Sequence, residues 1–398
     1  MEGQQIDIFS IIYQDFKIKN KIRLIELFAG IGSQAKALER LNVDFEHYKV
    51  IEFDKYAINS YNAIHGTNFK PTDITKINSE YLEINDTKHF TYLLTYSFPC
   101  QDLSIAGEQK GMKKGSNTRS GLLWEVERLL DECDELPQIL LMENVPQVIG
   151  EKNIKDFQEW QLKLSSLGYS NYVKILNAKD YGIPQNRKRC FMISILGNYN
   201  YQFPKAFNLE LKLKDILEES VEEKYFLSQK LIYTFRSYKT EKFDRSKTFK
   251  VFDKNKDFVA KTITTKAGNR STDNFLYDKN ILCDKLIESG EYNEYDVINH
   301  GYSKSRMNGI NRLESKNGLS PTLTTRGDTL GIFVKDDIKE MSDLRIRKLT
   351  PLECWRLMGF DDDDFYKCQK INSNAQLYKQ AGNSIVVDVL YYIFKQFF

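Results

Sequence analysis

At 398 residues the chain exceeds the usual span of one hydrophobic core, so we expect two domains or one core with a large insert. The hydrophobic fraction of 41% and the charged fraction of 28% are typical of a globular protein, and the net charge of +2 excludes a surface that is basic throughout. Because no apolar run approaches the roughly 18 residues of a membrane helix and no basic, apolar leader follows Met1, we expect a cytoplasmic protein without a membrane partner.

The first 200 residues alternate strand-like and helix-like patterns. Residues 1–20 space apolar positions such as Ile8, Ile12 and Phe16 as in a short peripheral helix. The predicted strands are 22–28, 48–53, 92–97, 139–142, 173–176 and 190–196. The predicted helices among these 200 residues are 36–41, 55–64, 121–130 and 156–167, and helical patterns return after residue 345 at 351–358 and 385–397. This alternation favours an α/β layer with a mainly parallel sheet.

From residue 201 to about residue 340 the patterns become short, with many Thr, Asn, Gly, Lys and Tyr residues. Within this region, residues 236–270 contain eleven basic and four acidic residues, so a local charge of +7 is concealed by the near-neutral total. We therefore predict a smaller, irregular and β-rich domain of residues 201–340, inserted between the two parts of a first domain, 1–200 and 341–398.

A glycine turn follows the first predicted strand. Gly30 and Gly32 permit a tight turn and a close backbone approach, and Glu52, twenty residues past Gly32, can accept hydrogen bonds from a ribose diol. Both NAD and S-adenosylmethionine carry that ribose, and an ordinary packed turn is the plain alternative. Asp73 lies where a third strand should end, and its carboxylate can accept a hydrogen bond from an adenine amino group.

The cysteines include one that stands apart. The six cysteines contain no Cys-x-x-Cys pair and the chain has only four histidines, which argues against a zinc site or a disulfide framework. Cys100 ends an apolar strand and precedes a glycine-rich basic loop that runs to Ser120. A thiol near cations gains thiolate character and can act as a nucleophile. A small buried hydrophobe is the alternative, and we assign it to Cys133, Cys283 and Cys368.

Two further segments carry charges near predicted strand ends. Glu143 ends a strand at the edge where active sites of parallel sheets lie. Arg187 and Arg189 are two residues apart, so they share one side if the backbone is extended. Each charge taken alone is equally compatible with a surface salt bridge.

These features belong to a longer ordered series. The blocks are 28–32, Glu52, Asp73, 98–101, 143–145, 185–189, 347–351, 353–354 and 382–385. The series resembles the C5-cytosine DNA methyltransferases of bacteria and their phages, in the family's order, with the variable region between the arginine block and Arg345. The resemblance implies a Rossmann-like S-adenosylmethionine-dependent methyltransferase fold and a DNA (cytosine-5-)-methyltransferase.

The resemblance also implies the chemistry of the site. Cys100 adds as a thiolate to C6 of a cytosine flipped out of duplex DNA, which turns C5 into a nucleophile. Glu143 binds or protonates N3, while Arg187 and Arg189 stabilise the developing charge, with Arg189 favoured for direct base contact. S-adenosylmethionine gives the methyl group and leaves as S-adenosylhomocysteine, without a metal. No residue is assigned as the base that removes the C5 proton, and a water can serve.

Contacts to the cofactor and to DNA follow from the same resemblance. Glu52 takes the ribose hydroxyls, Phe53, often tryptophan in this family, stacks on adenine, and Asp73 takes the adenine amino group. The full cofactor set is Phe28, Ala29, Gly30, Ile31, Gly32, Ser33, Glu52, Phe53, Asp73, Ile74, Pro99, Leu123, Asn383, Ser384 and Ile385. The DNA set is Gln101, Ser104, Arg119, Thr322, Leu323, Thr324 and Arg326. Thr322 and Leu323 resemble the recognition-region motif of the family. Thr262 and Ile263 match that motif less well, and an ordinary strand is the alternative interpretation for them.

The implied partner is double-stranded DNA, bound by a monomer in a bacterium or a phage-infected host. A cognate restriction endonuclease acting on the same site without a stable complex is a further expected partner, and an orphan phage methylase is the alternative. A transfer-RNA methyltransferase normally carries a Cys-Phe-Thr phrase that is missing here. An NAD-dependent oxidoreductase leaves Cys100 and the arginine block without a role. A catalytically inactive DNA-binding relative is disfavoured because every catalytic position is filled.

Overall fold

The structure is a computed structural model, which describes residues 14–100, 102–103, 111–116, 118–228, 231–232, 234–235, 249–252, 258–265, 270–271, 273–279, 297–299, 312–315, 330–332 and 344–398. The strands are β1 (Gln14–Asp15), β2 (Ile22–Leu27), β3 (Phe45–Ile51), β4 (Thr91–Tyr96), β5 (Ile139–Asn144), β6 (Tyr169–Asn177), β7 (Gln185–Asn186), β8 (Lys188–Leu196), β9 (Tyr199–Asn200), β10 (Val251–Phe252), β11 (Ala260–Lys261), β12 (Phe275–Lys279), β13 (Val297–Asn299), β14 (Arg312–Ser315), β15 (Leu330–Ile332) and β16 (Leu344–Lys348).

The α-helices are α1 (Ser33–Leu41), α2 (Lys55–His65), α3 (Leu123–Glu132), α4 (Ile154–Ser166), α5 (Pro351–Arg356), α6 (Asp362–Gln369), α7 (Asn374–Asn383) and α8 (Val387–Lys395). Short 3-10 helices lie at Ile74–Lys76, Ser79–Leu82, Arg119–Leu122, Pro146–Ile149, Ala178–Tyr181, Leu213–Ile216 and Glu223–Tyr225. None of the helices in the described part of the chain combines the length and the apolar character that crossing a bilayer requires.

The described residues fall into two compact units, of which the first comprises those within 1–216, 259–265 and 351–398. Its centre is a six-stranded sheet in the order β3-β2-β4-β5-β8-β6. Strands β3, β2, β4 and β5 pair in parallel, whereas β8 is antiparallel to both of its neighbours. The predicted α/β class with a mostly parallel sheet is therefore confirmed.

The sheet is covered on its faces, and its central strands are apolar for that reason. Every residue of β4 and β5 is buried, as expected for parallel strands with helices on both sides. Trp124 of α3 and Trp160 of α4 meet edge to face at 6.4 Å, and Trp160 donates a hydrogen bond to Tyr96 Oη on the sheet. Burial of these large rings contributes hydrophobic free energy to the packing of α3 and α4 on the sheet.

The peripheral helix predicted for residues 1–20 is wrong where the chain is described. Gln14 and Asp15 form a strand that pairs in parallel with β9, while residues 1–13 lie outside the described residues. Phe16 owes its apolar character to tertiary contact, since its ring packs edge-on against Tyr199 at 5.0 Å. An apolar position three or four residues from another does not require a helix when each packs on a distant partner.

The second unit comprises the described residues of 217–258 and 266–350. Two three-stranded sheets lie in it, β10-β12-β16 and β14-β13-β15. Its apolar cluster consists of Leu227, Ile232, Phe235, Phe275 and Ile346. These short strands match the predicted β-rich character of the region, whereas the predicted boundaries at residues 201 and 340 stay a prediction.

Candidate active site

The cleft lies where the order of the parallel strands reverses. Helix α1 leads from β2 to β3 on one side, while β4 pairs on the other side of β2, so a crevice opens beyond the carboxyl ends of β2 and β4. A cleft of about 580 Å³ occupies this edge of the sheet. It is lined by these predicted site residues: Phe28, Ala29, Gly30, Ile31, Ser33, Glu52, Phe53, Asp73, Ile74, Pro99, Cys100, Arg119, Glu143, Arg187, Arg189, Asn383, Ser384 and Ile385.

The glycine turn is held in place by a half-buried carboxylate. Phe28, Gly30 and Gly32 all have positive φ values, of 60°, 60° and 83°, a conformation that costs Phe28 backbone strain of the kind concentrated at functional sites. Glu52 Oε2 accepts a hydrogen bond from Gly30 N at 2.9 Å, and Oε1 accepts one from Asp54 N at 2.7 Å. A Cβ on Gly30 would meet no atom within 4 Å, so the turn faces open space.

Gly32 was predicted to contact the cofactor, but it does not line the cleft. A Cβ built on Gly32 would lie 2.3 Å from His65 Nε2 and 2.7 Å from Tyr61 Cε2. The missing side chain therefore permits close packing of the turn on α2, which is a packing role.

Two predicted adenine contacts lie at the rim of the cleft. The Phe53 side chain is 76% exposed, so its ring is available for stacking. Asp73 does not end a strand as predicted. It caps the 3-10 helix Ile74–Lys76, and its Oδ1 accepts hydrogen bonds from the backbone N and the hydroxyl of Thr75. Lys379 also lines the cleft and pairs with Asp54 at 2.6 Å, a contact with no sequence signal.

Cys100 sits in a loop that is tied to the sheet by hydrogen bonds. Asn144 Nδ2 at the end of β5 donates to Phe98 O at 3.0 Å, and Ser120 Oγ donates to Pro99 O at 2.6 Å. Leu103 N donates to Cys100 O at 3.1 Å. These bonds surround the nucleophile candidate, so its backbone position is set by β5 and by the segment before α3.

Asp102 closes the same loop from its other side. Its Oδ2 accepts hydrogen bonds from Arg119 N at 2.8 Å and from Ser120 N at 3.3 Å. The predicted DNA contacts Gln101 and Ser104 lie outside the described residues, whereas Arg119 lines the cleft. The contacts of Asp102 tie it to the segment that leads into α3.

The reversed direction of β8 explains how the arginines reach the cleft. Because β8 runs against its neighbours, its amino end meets the carboxyl end of β5, and Asn144 pairs in register with Cys190. Arg189 Nε donates to Glu143 Oε1 at 3.0 Å. The arginine block therefore enters at the edge of the sheet that carries Cys100.

Burial and the neighbouring charges have opposing effects on the pKa values of Cys100 and Glu143. Burial and the neighbouring Glu143 raise the pKa of the Cys100 thiol, while Arg189 and Arg187 act to lower it. Burial also raises the pKa of the Glu143 carboxyl, against the opposing effect of both arginines. Glu143 is thus biased towards its protonated form, as a proton donor requires.

Arg187 is a buried charge held by backbone carbonyls. Its guanidinium donates to Ile263 O at 3.0 Å, to Gly382 O at 3.0 Å and to Ser384 O at 2.8 Å, while Nε finds no hydrogen-bond partner among the described residues. Burial and the nearby Arg189 lower the pKa of Arg187 to about 9. Its position makes it a support for the loop before Ile385 as well as a charge near Cys100.

Residues 259–265 form an unexpected part of the first unit. In β11, Ala260 and Lys261 pair in parallel with β7, and Gln185 Oε1 accepts a hydrogen bond from Ile263 N at 3.0 Å. A Cβ on Gly382 would lie 2.4 Å from Thr265 N, so only glycine allows this approach. Thr262 and Ile263 follow β11 directly and lie beside the arginine block, where Thr262 Oγ1 donates a hydrogen bond to Asn186 O at 2.8 Å, but neither belongs to the strand, so both interpretations of them stay predictions.

Other predicted site residues do not line the cleft or lie outside the described residues. Leu123 is fully buried in α3 and does not line the cleft, whereas its neighbour Leu122 does, so the predicted cofactor contact of Leu123 stays a prediction. Thr322, Leu323, Thr324 and Arg326 lie outside the described residues. The cleft residues that were not among the predicted site residues are Gln34, Ile51, Asp54, Ala57, Thr72, Ser97, Phe98, Leu122, Asn144, Val145, Lys379, Gln380 and Gly382.

Comparison with known proteins agrees with this geometry. The family model described as C-5 cytosine-specific DNA methylase matches residues 22–398. Type II methyltransferase M2.ScrFI of Lactococcus lactis subsp. cremoris is 32% identical, over 95% of this chain and 99% of that protein. Orphan methyltransferase M.SssI of Spiroplasma monobiae is 32% identical, over 94% and 97%. The solved structure of the Entamoeba histolytica methyltransferase EhMeth is alike in fold, with a TM-score of 0.66, 18% identity, and 96% and 98% coverage.

Proposed function

Since the chain belongs to the C-5 cytosine-specific DNA methylase family and is a DNA cytosine-5 methyltransferase, we propose that Cys100 is its nucleophile and Glu143 its proton donor. The observation that carries the assignment is the meeting of Cys100, Glu143 and Arg189 at one end of a cleft whose other end has the glycine turn. The sheet has the predicted Rossmann-like methyltransferase architecture, and the chemistry depends on S-adenosylmethionine.

The cleft residues fit that cofactor. The Glu52 carboxylate faces the Gly30 backbone at the turn, where a ribose diol can share its oxygens, and the exposed Phe53 ring offers an apolar face to adenine. Ser384 and Asn383 lie at the end of α7 beside the cleft, where the methionine portion would extend. S-adenosylmethionine, when bound, supplies an electrophilic sulfonium methyl group and leaves as S-adenosylhomocysteine.

Attack by Cys100 on C6 breaks the aromaticity of cytosine and places electron density on C5 and N3. Glu143 donates its proton to N3 as that density builds, which removes the negative charge from the ring. The raised pKa of Glu143 makes its protonated form, from which this transfer proceeds, easier to populate than that of an exposed carboxyl. After C5 is methylated, water takes the proton of C5, the C6–S bond breaks so that Cys100 leaves as a thiolate, and N3 returns its proton to Glu143, which restores the aromatic ring and the enzyme.

Arg189 has two tasks in this scheme. Its contact with Glu143 Oε1 orients the carboxyl, and its charge lies where the cytosine carbonyl would be bound. Arg187 acts through position, because its guanidinium ties Ile263, Gly382 and Ser384 together behind the cleft. We propose that the pair needs no metal for this step.

The substrate is a cytosine in double-stranded DNA that leaves the helix to enter the cleft, at a cost of a few kcal/mol. Residues 101–118 are the proposed lid, and the basic residues of 236–270 would bind phosphates without reading sequence. We propose that the protein works as a monomer in the cytoplasm of a bacterium or of a phage-infected host. It would protect a site cut by a cognate restriction endonuclease or act as an orphan phage methylase.

Incubation of the purified chain with unmethylated DNA and S-adenosylmethionine is expected to yield 5-methylcytosine at one short recurrent sequence. Sequencing after bisulfite conversion measures the product base by base, and a parallel incubation with the Cys100→Ser variant is the matched blank. Conversion of every cytosine in both samples would contradict the proposed function.

Exchange of part of the insert tests the predicted recognition domain. Replacing residues 217–258 and 266–340 with those of a relative, while retaining 259–265 beside Arg187, is expected to move methylation to the relative's target. The retained segment preserves the arginine site, so the chimera should keep the parent's affinity for S-adenosylmethionine. Methylation at the original target by the chimera would show that the reading residues lie elsewhere.

A further inference from the structure

Three side chains that could ligate a metal ion meet outside the cleft, behind the glycine turn of residues 28–32, which is called the cofactor turn below. Glu39 lies near the end of α1, His47 lies in β3, and His65 is the last residue of α2. One donor atom from each lies within 4.8 Å of the others, which makes this the one such group found among the described residues. None of the three lines the cleft, so the catalytic assignments give them no role.

The donor atoms converge on one point. His65 Nδ1 lies 2.6 Å from Glu39 Oε1, and His47 Nε2 lies 3.9 Å from the same oxygen. Ligand atoms about 2.1 Å from a tetrahedral zinc ion lie about 3.4 Å apart, so the Glu39 oxygen must move away from His65 and the His47 nitrogen must move nearer to it. The Glu39 side chain is the long and flexible member, and it can withdraw from His65 to admit an ion.

The remaining polar atoms of the three residues are already occupied in the way metal ligands require. His47 Nδ1 lies 2.8 Å from Tyr61 Oη, and His65 Nε2 lies 3.3 Å from Ile31 O. Such contacts fix the ring orientation and leave the opposite nitrogen for an ion. Tyr61 in turn donates to the buried Glu26 at 2.5 Å, which extends the chain of contacts to a carboxylate.

Access and charge are also suitable. The side chain of Glu39 is 34% exposed and that of His47 is 19% exposed, so an ion can enter from solvent although His65 is enclosed. Glu39 Oε2 faces Lys36 Nζ at 3.8 Å, which leaves Oε1 turned towards the histidines. Two imidazoles and one carboxylate suit zinc and its neighbours better than calcium or magnesium.

We propose that Glu39 Oε1, His47 Nε2 and His65 Nδ1 bind one divalent transition-metal ion, with water completing its coordination. The location of the site favours a structural role for the ion, because the ring of His65 contacts Ile31 O and packs against Gly32 of the cofactor turn. A bound ion would therefore hold the ends of α1 and α2 together behind that turn. This site is independent of the proposed roles of Cys100 and Glu143. It departs from the sequence expectation against a zinc site, because the missing Cys-x-x-Cys pair and the small number of histidines do not address ligands that come from three separate elements.

The test uses the full chain, prepared without a polyhistidine tag and freed of metal by a chelator. Titration with Zn²⁺ in a calorimeter is expected to show one equivalent bound, and Co²⁺ in its place should give visible absorption bands of a low-coordinate site. Because loss of an outer-shell partner alone costs about 10–100-fold in affinity, Glu39→Gln and His47→Gln should each weaken Zn²⁺ binding by at least as much. Zn²⁺ should also raise the melting temperature of the parent but not of Glu39→Gln.

His89→Gln is the matched control, since His89 pairs with Asp86 on the exposed surface away from the cluster. Its affinity for Zn²⁺ should equal that of the parent. The Glu39→Gln variant lies on a helix surface, and its melting temperature without metal verifies its fold. Absence of stoichiometric binding by the parent would overturn the proposal, as would binding that survives both Glu39→Gln and His47→Gln, because thiols or other groups would then hold the ion.

Discussion

The Cys100→Ser variant is expected to transfer methyl groups at least about four orders of magnitude more slowly than the parent. A hydroxyl loses its proton far less readily than a thiol, so the variant lacks the anionic nucleophile that attacks C6. Cofactor affinity should stay within about twofold of the parent, since the cofactor turn and Glu52 are unchanged. Single-turnover transfer of labelled methyl groups and calorimetric titration with S-adenosylhomocysteine measure the two quantities separately.

Cys133→Ser is the matched control, because Cys133 is likewise half-buried and unpaired with another cysteine but lies at the end of α3, outside the cleft. It should keep full activity. DNA carrying 5-fluorocytosine gives a second readout. Release of Cys100 requires loss of a proton from C5, and fluorine at C5 cannot leave as a cation, so the parent should remain joined to the base through Cys100. Turnover by Cys100→Ser, or a stable adduct formed by it, would remove Cys100 from its assigned role.

The Glu143→Gln variant is expected to lower kcat/KM by about 10²–10⁴-fold, because the amide cannot give a proton to N3. The variant keeps the shape of the carboxyl, so the packing of β5 is preserved. Glu127→Gln is the control, since Glu127 is also a largely buried carboxylate, paired with Lys114 at 2.5 Å outside the cleft. A rate for Glu143→Gln equal to that of Glu127→Gln would contradict the proposed donor.

The dependence of kcat/KM on pH should differ in form between the parent and the Glu143→Gln variant. Burial raises the pKa of both Glu143 and Cys100, so between the two pKa values the pair holds one proton. The reactive form, thiolate with carboxylic acid, has as many protons as the resting form, thiol with carboxylate. For the parent, kcat/KM should therefore be flat in the interval between these two pKa values, fall at lower pH as Glu143 becomes protonated, and fall at higher pH as Cys100 ionises.

For Glu143→Gln only the thiolate fraction matters, so kcat/KM should rise with pH by up to about tenfold per unit until the thiol is ionised. Removal of the carboxylate also removes a charge that raises the pKa of Cys100, which moves this rise to lower pH. A parent profile that climbs steadily through neutral pH would show that Cys100 loses its proton to solvent before Glu143 takes part.

The sequence predicted the elements that depend on local pattern. Strands β4 and β5 are continuous apolar runs, and α2 begins at an aspartate cap and ends at Gly66, so their extents could be predicted closely. The ends of these strands placed Cys100 and Glu143 at one edge, because parallel strands deliver their carboxyl ends together. The roles assigned to those residues came from the family resemblance.

Features made by distant pairing could not be predicted. Nothing in the composition of β8 shows that it runs against its neighbours, yet this reversal brings Arg189 to Glu143. The docking of residues 259–265 on β7 is likewise a tertiary event, within a region whose basic character suggested only phosphate binding. The convergence of His47 and His65 depends on the pairing of β3 with β2 and the packing of α2 upon them.

The contact of residues 259–265 with Gln185 and Arg187 has a thermodynamic consequence for the insert. It divides the chain between residues 216 and 351 into two shorter closed loops of 42 and 85 residues. Closing a loop costs only about 0.6 kcal/mol more for each doubling of its length. Insertions or deletions in either loop therefore cost little in closure entropy, provided that residues 259–265 are kept in place and that the β10–β12 pairing and the apolar cluster, which join the two loops, are left intact.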